Sequence, residues 1–262
     1  MTPSLDFLNQ AEKHIRLTLD KLRPQLLEAQ GNIEHRLKDD KSVVTALDTL
    51  VEDRLRADLA TFDQGIGFSG EEGGTDYNQT TFWLVDPIDG TEPFIRGLPF
   101  ATNMITLIHE GEPIMSIINN FALGDYYLAI KGQGAMCNGH AIHVSERALD
   151  RAWIMMGAIP GAPGVAGLET LLDSKTKALR RYGGAGYEYS MIASGAVEAR
   201  VTYHGHGEPW DFAPGALLVQ EAGGRAANIG ATTYDYRKLD HIISNAVVFD
   251  ELMQLMVTSG RV

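Results

Sequence analysis

The sequence is short of cysteine, of positive charge and of long apolar runs. Cys137 is its one cysteine, so no disulfide can form within the chain, and a lone thiol fits a reducing compartment. Lysine and arginine number 22 against 34 aspartates and glutamates, a net charge of −12. Non-specific nucleic-acid binding needs a basic footprint, so the balance argues against that class of function. The same surplus of acid is wrong for an anionic substrate unless cations stand between the acids and that substrate. No apolar run approaches the roughly 20 residues of a membrane span. The polar opening MTPSLDFLNQAEKH has no signal-peptide core. The expectation is a cytoplasmic protein with neither membrane nor nucleic acid among its partners.

What is present is an ordinary globular balance, 44% apolar and 21% charged over 262 residues, enough for one large domain or two closely packed subdomains. Leucines and isoleucines recur at helical spacing over 4–30, and a second helix starts near Thr45, a natural N-cap. LKDDK reads as a charged loop. GIGFSG and TFWLVDP read as strands, and residues 101–139 as an antiparallel meander with turns at EGEP, ALGD and GQG. Beyond about residue 144 helices and strands alternate. WIMMGAI is a strand and GLETLLDSKTKALRR a helix. YEYSMIASGAVEARVTY is a helix and then a strand, and PWDFAPGALLVQEAGG a helix ending at its glycines. HIISNAVV is a strand and DELMQLMVTS a last helix. The pattern predicts layers of helix and sheet in a single unit over 1–262, with subdomains 1–144 and 145–262.

The acids are informative by position. Glu71 and Glu72 follow one strand, Asp86 and Asp89 follow the next, and Asp211 lies where a loop meets a helix. Three such element ends can converge at one sheet edge, where ligands bind. Carboxylates and carbonyls without Cys or His partners suit Mg²⁺ or Mn²⁺ rather than Zn²⁺. In DPIDGT, a glycine after Asp89 lets backbone amides approach an anion, and a helix turn starting at Thr91 would offer its free N–H groups to a phosphate. Acids facing amides make a clamp for a metal-bound phosphate, and metal-assisted hydrolysis is the chemistry that follows. Plainer readings stand beside this one. DPIDGT is also good turn composition, Asp211 before an apolar helix is a natural N-cap, Glu72 is a solvated neighbour of Glu71, and Asp48 is a surface acid on its helix.

These segments resemble the signature of a known family. DPIDGT at 86–91, GEE at 70–72, WDFAPG at 210–215 and KDDKSVVTALDTLVE at 38–52 are similar, in order, to the motifs of the inositol monophosphatase family. This is the Mg²⁺-dependent, lithium-sensitive superfamily that also holds fructose-1,6-bisphosphatase. EAGG at 221–224 and NG at 138–139 also fit. The resemblance implies a layered αβαβα sandwich and a homodimer. It implies a first Mg²⁺ on Glu71, Asp86 and the Ile88 carbonyl, and a second on Asp86, Asp89 and Asp211. A third, weaker ion would lean on Glu71. Thr91, hydrogen-bonded to Asp48, would orient the attacking water with Glu71. The amides of Gly90 and Thr91 would hold the phosphate, and Lys38 would sit on a loop near the metals.

The leaving-group side departs from the inositol-cleaving pattern. Counting back from Asp211 without gaps puts His204 where those relatives carry an acid. His204 and His206 are alternatively a metal pair or simply polar. Ala185 and Gly186 open the segment expected to line the leaving-group pocket. Arg180 and Arg181 are the basic residues that a bisphosphate would need, or else the charged end of a helix. The implied substrate is a small polyol-type phosphate ester such as inositol monophosphate. The alternatives are histidinol phosphate, a sugar bisphosphate or 3′-phosphoadenosine 5′-phosphate, or a non-catalytic regulatory protein on this fold.

Overall fold

The computed structural model describes residues 2–37, 43–63, 65–74, 79–205 and 207–258. Lys38 and His206 lie outside the described residues. In chain order the elements are α1 (Leu5–Ala29), β1 (His35–Leu37), β2 (Val43–Thr45), α2 (Ala46–Phe62), β3 (Gly67–Gly70), β4 (Thr81–Asp89) and α3 (Thr91–Ile95). The meander follows as β5 (Thr102–His109), β6 (Glu112–Asn120), β7 (Asp125–Ile130), β8 (Gly134–Cys137) and β9 (His140–Ala141). Then come β10 (Trp153–Gly157), α4 (Val165–Lys175), β11 (Ala178–Arg180), α5 (Ala185–Ala193), β12 (Ala199–Thr202), α6 (Pro209–Glu221), β13 (Arg225–Asn228), β14 (His241–Ser244) and α7 (Phe249–Thr258).

Local chemistry accounts for most of these boundaries. Ser4 caps α1, its hydroxyl accepting the Phe7 N–H. Leu8, Ala11, Ile15, Leu19, Leu22 and Leu26 then bury one stripe of that helix. Thr45 and Asp48 form a capping box at the start of α2. The helix expected over GLETLLDSKTKALRR stops at Lys175. Thr176 turns extended (φ −119°, ψ 166°), and Ala178–Arg180 instead pairs in parallel with β10. A β-branched residue loses side-chain freedom in a helix, and the ladder along β10 supplies the backbone partners that the helix gives up. Residues 225–228, which follow the glycines at 223 and 224, form an antiparallel strand against β14.

The seven-stranded sheet has the order β3-β4-β5-β6-β7-β8-β9 and the five-stranded sheet the order β11-β10-β12-β14-β13. Helices α1 and α2 cover one face of the larger sheet, packing Ile15, Leu19, Val51 and Leu55 on Trp83, Val85, Ile105 and Ile117. Its other face meets α5 and α6, and these helices in turn meet the inner face of the smaller sheet: Met104 and Ile118 join Tyr189, Phe212, Met155 and Ile243 in one cluster. Helices α4 and α7 close the outer face, with Leu168 and Leu252 against Ile154, Val201 and Ile242. The result is the five-layer αβαβα sandwich that the resemblance implied. Pro214 falls in the sixth position of α6, where it removes a helical N–H. It is buried, and its carbonyl accepts a hydrogen bond from Ser116 Oγ at 2.6 Å.

Candidate active site

One cavity, of about 890 Å³, opens where the ends of β3 and β4 meet the first turns of α5 and α6. That volume suits a small molecule. Glu71, Asp86, Ile88, Asp89, Gly90, Thr91, Ala185 and Asp211 all line it.

Strand β4 delivers the first acids. Its pairing with β5 is in register at Asp86 opposite Met104 and again at Asp89 opposite Thr102, with an irregularity between. A bulge re-aims side chains, and here Asp86 and Asp89 reach one cavity while the Ile88 side chain stays in the core. Gly90 then adopts a left-handed conformation (φ 78°), and a Cβ there would meet the Gly184 Cα at 3.2 Å. Glycine is the residue that accepts both conditions. The short helix α3 follows, with Pro93 third, inside the first turn where no amide hydrogen is needed. Thr91 Oγ1 lies 3.0 Å from the Ile88 carbonyl and 3.3 Å from Asp48 Oδ1. Asp48 is therefore not a surface acid. It is buried, and its other oxygen accepts the Thr45 amide at 2.8 Å and the Thr45 hydroxyl at 2.6 Å.

Asp211 is the third residue of α6 rather than its N-cap. Glu208 caps that helix, and Asp211 Oδ2 accepts the Glu208 amide at 2.7 Å. Asp89 is held from the opposite side by the start of α5. The amides of Ala185 and Gly186 donate to its two oxygens at 2.9 and 2.8 Å, and Thr102 adds a hydroxyl at 3.1 Å. Ala185 lines the cavity, and the backbone of these two residues fixes a carboxylate. Glu71 hangs on the turn after β3. Buried Glu52 of α2 pins that turn by accepting the Glu72 amide at 2.7 Å.

Asp86, Asp89 and Asp211 each bring a carboxylate oxygen within 4.8 Å of the others. Burial is the main cause that lifts all three above the ordinary carboxylate range. Asp89 stands at about 6 and Asp211 at about 7. Asp86 is raised further by the charges of Glu71, Asp211 and Asp89. Asp48 is pushed to about 6, again chiefly by burial. Asp86 Oδ1 is buried with no hydrogen-bond partner. Clustered, desolvated carboxylates with an orphaned oxygen are what a divalent cation relieves, and an all-oxygen set suits a hard ion. These residues fit Mg²⁺ or Mn²⁺.

On the leaving-group side the structure departs from the count along the sequence. His204 is exposed, its ring against that of Tyr203 at 4.3 Å between centroids, and Gly205 and Gly207 line the cavity in its place. Arg180 turns away over the Trp153 ring, whereas Arg181 lines the cavity. Glu188 and Arg200 line it too and form a buried ion pair. Sequence reasoning passed over both. The available signal was a lone charge inside an otherwise apolar helix, YEYSMIA, and another inside an apolar strand, ARVT.

The family model described as the inositol monophosphatase family matches residues 5–260. A histidinol-phosphatase of Chlorobaculum parvum is 32% identical over 255 residues, 93% of this chain and 90% of that protein. An inositol-1-monophosphatase of Caulobacter vibrioides is 34% identical over 204 residues, 73% of this chain and 78% of its own length. Among solved structures, a Thermotoga maritima IMPase superposes with a TM-score of 0.87 at 25% identity, covering 97% of this chain and 98% of that one. A match that runs almost from end to end leaves one conclusion: the chain belongs to the inositol monophosphatase family, and it is a hydrolase acting on phosphoric monoesters.

Proposed function

We propose that this protein hydrolyses a small polyol-type phosphate ester in a reaction that depends on Mg²⁺, with inositol monophosphate as the reference compound. The observation that carries this reading is the buried Asp86–Asp89–Asp211 cluster with its orphaned Asp86 oxygen, in the same cavity as the Gly90–Thr91 turn. Glu71, Asp86 and the Ile88 carbonyl would hold one ion, and Asp86, Asp89 and Asp211 a second. Bound cations supply Lewis acidity toward the ester and make water a better nucleophile at neutral pH. The chain's own residues do the positioning. The first amides of a helix have no intrahelical acceptor, so those of Gly90 and Thr91 are suited to hold the phosphoryl oxygens. The Thr91 hydroxyl, between Ile88 and Asp48, orients the attacking water, and Asp48 with Glu71 accepts its proton.

A homodimer and a cytoplasmic location complete the reading implied by the family resemblance. A second reading keeps the chemistry and replaces the leaving group with histidinol; the 32% identical histidinol-phosphatase supports it. The test is turnover of inositol monophosphate, histidinol phosphate and p-nitrophenyl phosphate with Mg²⁺, with EDTA, and in Asp89→Asn. Loss of activity in EDTA and a deep fall in Asp89→Asn are expected. Wild-type turnover persisting in EDTA would sink the metal dependence.

A further inference from the structure

The buried face of α2 carries two carboxylates one helical turn apart. Asp48 and Glu52 are both 1% exposed, and residues four apart share a helix face. A buried acid needs partners. Those of Asp48 lead to Thr91. Those of Glu52 lead to the turn that carries Glu71. Its Oε2 accepts the Glu72 amide at 2.7 Å. Its Oε1 takes the Arg56 guanidinium at 2.8 Å, one further turn along the helix, and Arg56 lies over the Phe68 ring of β3 at 4.2 Å.

The turn is shaped around this carboxylate. A Cβ on Gly70 would collide with the Glu52 carboxylate, and one on Gly73 would collide with that carboxylate and with the Arg56 guanidinium. Neither glycine has a positive φ, so what the missing side chains provide is room for the acid. Strand β3 lies at the edge of its sheet, with β4 alone beside it. Backbone bonds around the turn are long: the Glu71 amide donates to the Val85 carbonyl at 3.2 Å and the Gly70 amide to the Gly74 carbonyl at 3.4 Å. The bond to Glu52 is shorter and ends on a charged acceptor, the stronger kind.

We propose that Glu52 is a positioning residue: it holds Glu71 in the cavity with Asp86, and the affinity of that site for a divalent ion depends on the reach of Glu52 to the turn. The inference rests on the reading that Glu71 holds an ion, and deepens it. Glu52 acts through the backbone of residue 72 and touches neither ion nor ester. Groups of this kind, one contact removed from a metal, set the orientation of its ligands. Arg56 balances the charge of Glu52 behind the site. With Asp48 on the same face, one rigid helix fixes both Thr91 and Glu71, the two groups proposed to handle the attacking water.

The test titrates Mn²⁺ calorimetrically into the metal-free protein, with no ester present, for wild type, Glu52→Gln and Glu52→Asp. Glu52→Gln keeps the length and an acceptor for the Glu72 amide but loses the charge; Arg56, 35% exposed, can turn to water. Glu52→Asp keeps the charge and falls one methylene short. Glu52→Asp should raise the Kd of a bound ion by about tenfold or more, while Glu52→Gln stays within about threefold of wild type. A role as a remote negative charge gives the reverse order. A purely structural role lowers the Tm of the metal-free variants and leaves their Kd unchanged. Half-saturating Mg²⁺ for hydrolysis of p-nitrophenyl phosphate should follow the order of the Kd values, with KM for the ester nearly unchanged. In a Glu71→Ala background Glu52→Asp should cost nothing further, because the group it positions is gone. If Glu52→Asp does not fold, as judged by circular dichroism, Gly73→Ala takes its place: it keeps the acid, pushes the turn off it, and should weaken Mn²⁺ likewise. The reverse order, equal Kd values in folded variants, or an undiminished loss in the Glu71→Ala background overturns this inference alone. A wild type that binds no Mn²⁺ overturns the metal reading and this inference with it.

Discussion

Thr91 shows how much one side chain can be asked to do. Its amide belongs to the turn after Asp89, and its hydroxyl sits between the Ile88 carbonyl and Asp48 Oδ1. Thr91→Ala removes the hydroxyl and keeps the amide. A fall in kcat of about 10²-fold, with KM nearly unchanged, is expected for one lost acid–base contact; steady-state kinetics beside an unchanged circular dichroism spectrum check it. Asp211 carries a different signature. Its pKa rises from an ordinary 3.8 to about 7 on folding without metal, because burial disfavours the charge. A carboxyl raised in this way lends stability that is complete below about 4 and lost as pH climbs through about 7. Asp211→Asn keeps an acceptor for the Glu208 amide and never ionises. In EDTA its Tm relative to wild type should therefore be higher at pH 8 than at pH 5. Equal differences at the two pH values would show that Asp211 is not desolvated in the folded chain.

Among the elements, α5 is the one whose start matters most to the site. Its first two amides grip Asp89, and Gly184 just before it has no room for a side chain: a Cβ would meet the Phe100 carbonyl at 2.3 Å. Gly184→Ala must push the helix start away from Asp89. A stability loss of about 1–3 kcal/mol is expected from the overpacking, together with weaker Mg²⁺ activation, which a Mg²⁺ titration of the initial rate measures. Full Mg²⁺ sensitivity in a destabilised variant would separate the packing role from the carboxylate. Helices α1 and α2 were evident from periodicity and from their caps at Ser4 and Thr45. The strand Ala178–Arg180 was not, because nothing within KALRR announces that β10 lies alongside it.

For the whole molecule, a net charge of −12 and a buried knot of acids are what bound cations would relieve. A ligand that binds only the native form stabilises it by mass action. Mg²⁺ should raise the Tm of wild type, by more at pH 8 than at pH 5 because the ion must displace the protons that burial retains. Asp86→Asn should lose most of that shift. Lithium sensitivity, implied by the family resemblance and by the Asp86–Asp89–Asp211 cluster, predicts that millimolar LiCl slows turnover where equal KCl does not.

By itself the sequence determined the chemistry. Asp86, Asp89, Gly90 and Thr91 lie within six residues, so the geometry of one strand end and one turn already places acids beside amides, and short-range order of that kind is written in adjacent letters. It also determined the helices whose apolar stripes and caps are local. Only the tertiary structure decided which residues line the rest of the cavity. Glu188 and Arg200 are apart in sequence and on different elements, and His204 is nearer to Asp211 along the chain than either of them, yet the pair lines the cavity and the histidine does not. Their meeting depends on α5 lying across the inner face of the smaller sheet. That is set by the packing of Tyr189, Phe212, Met155 and Ile243 together, a long-range outcome that no single segment of the chain encodes.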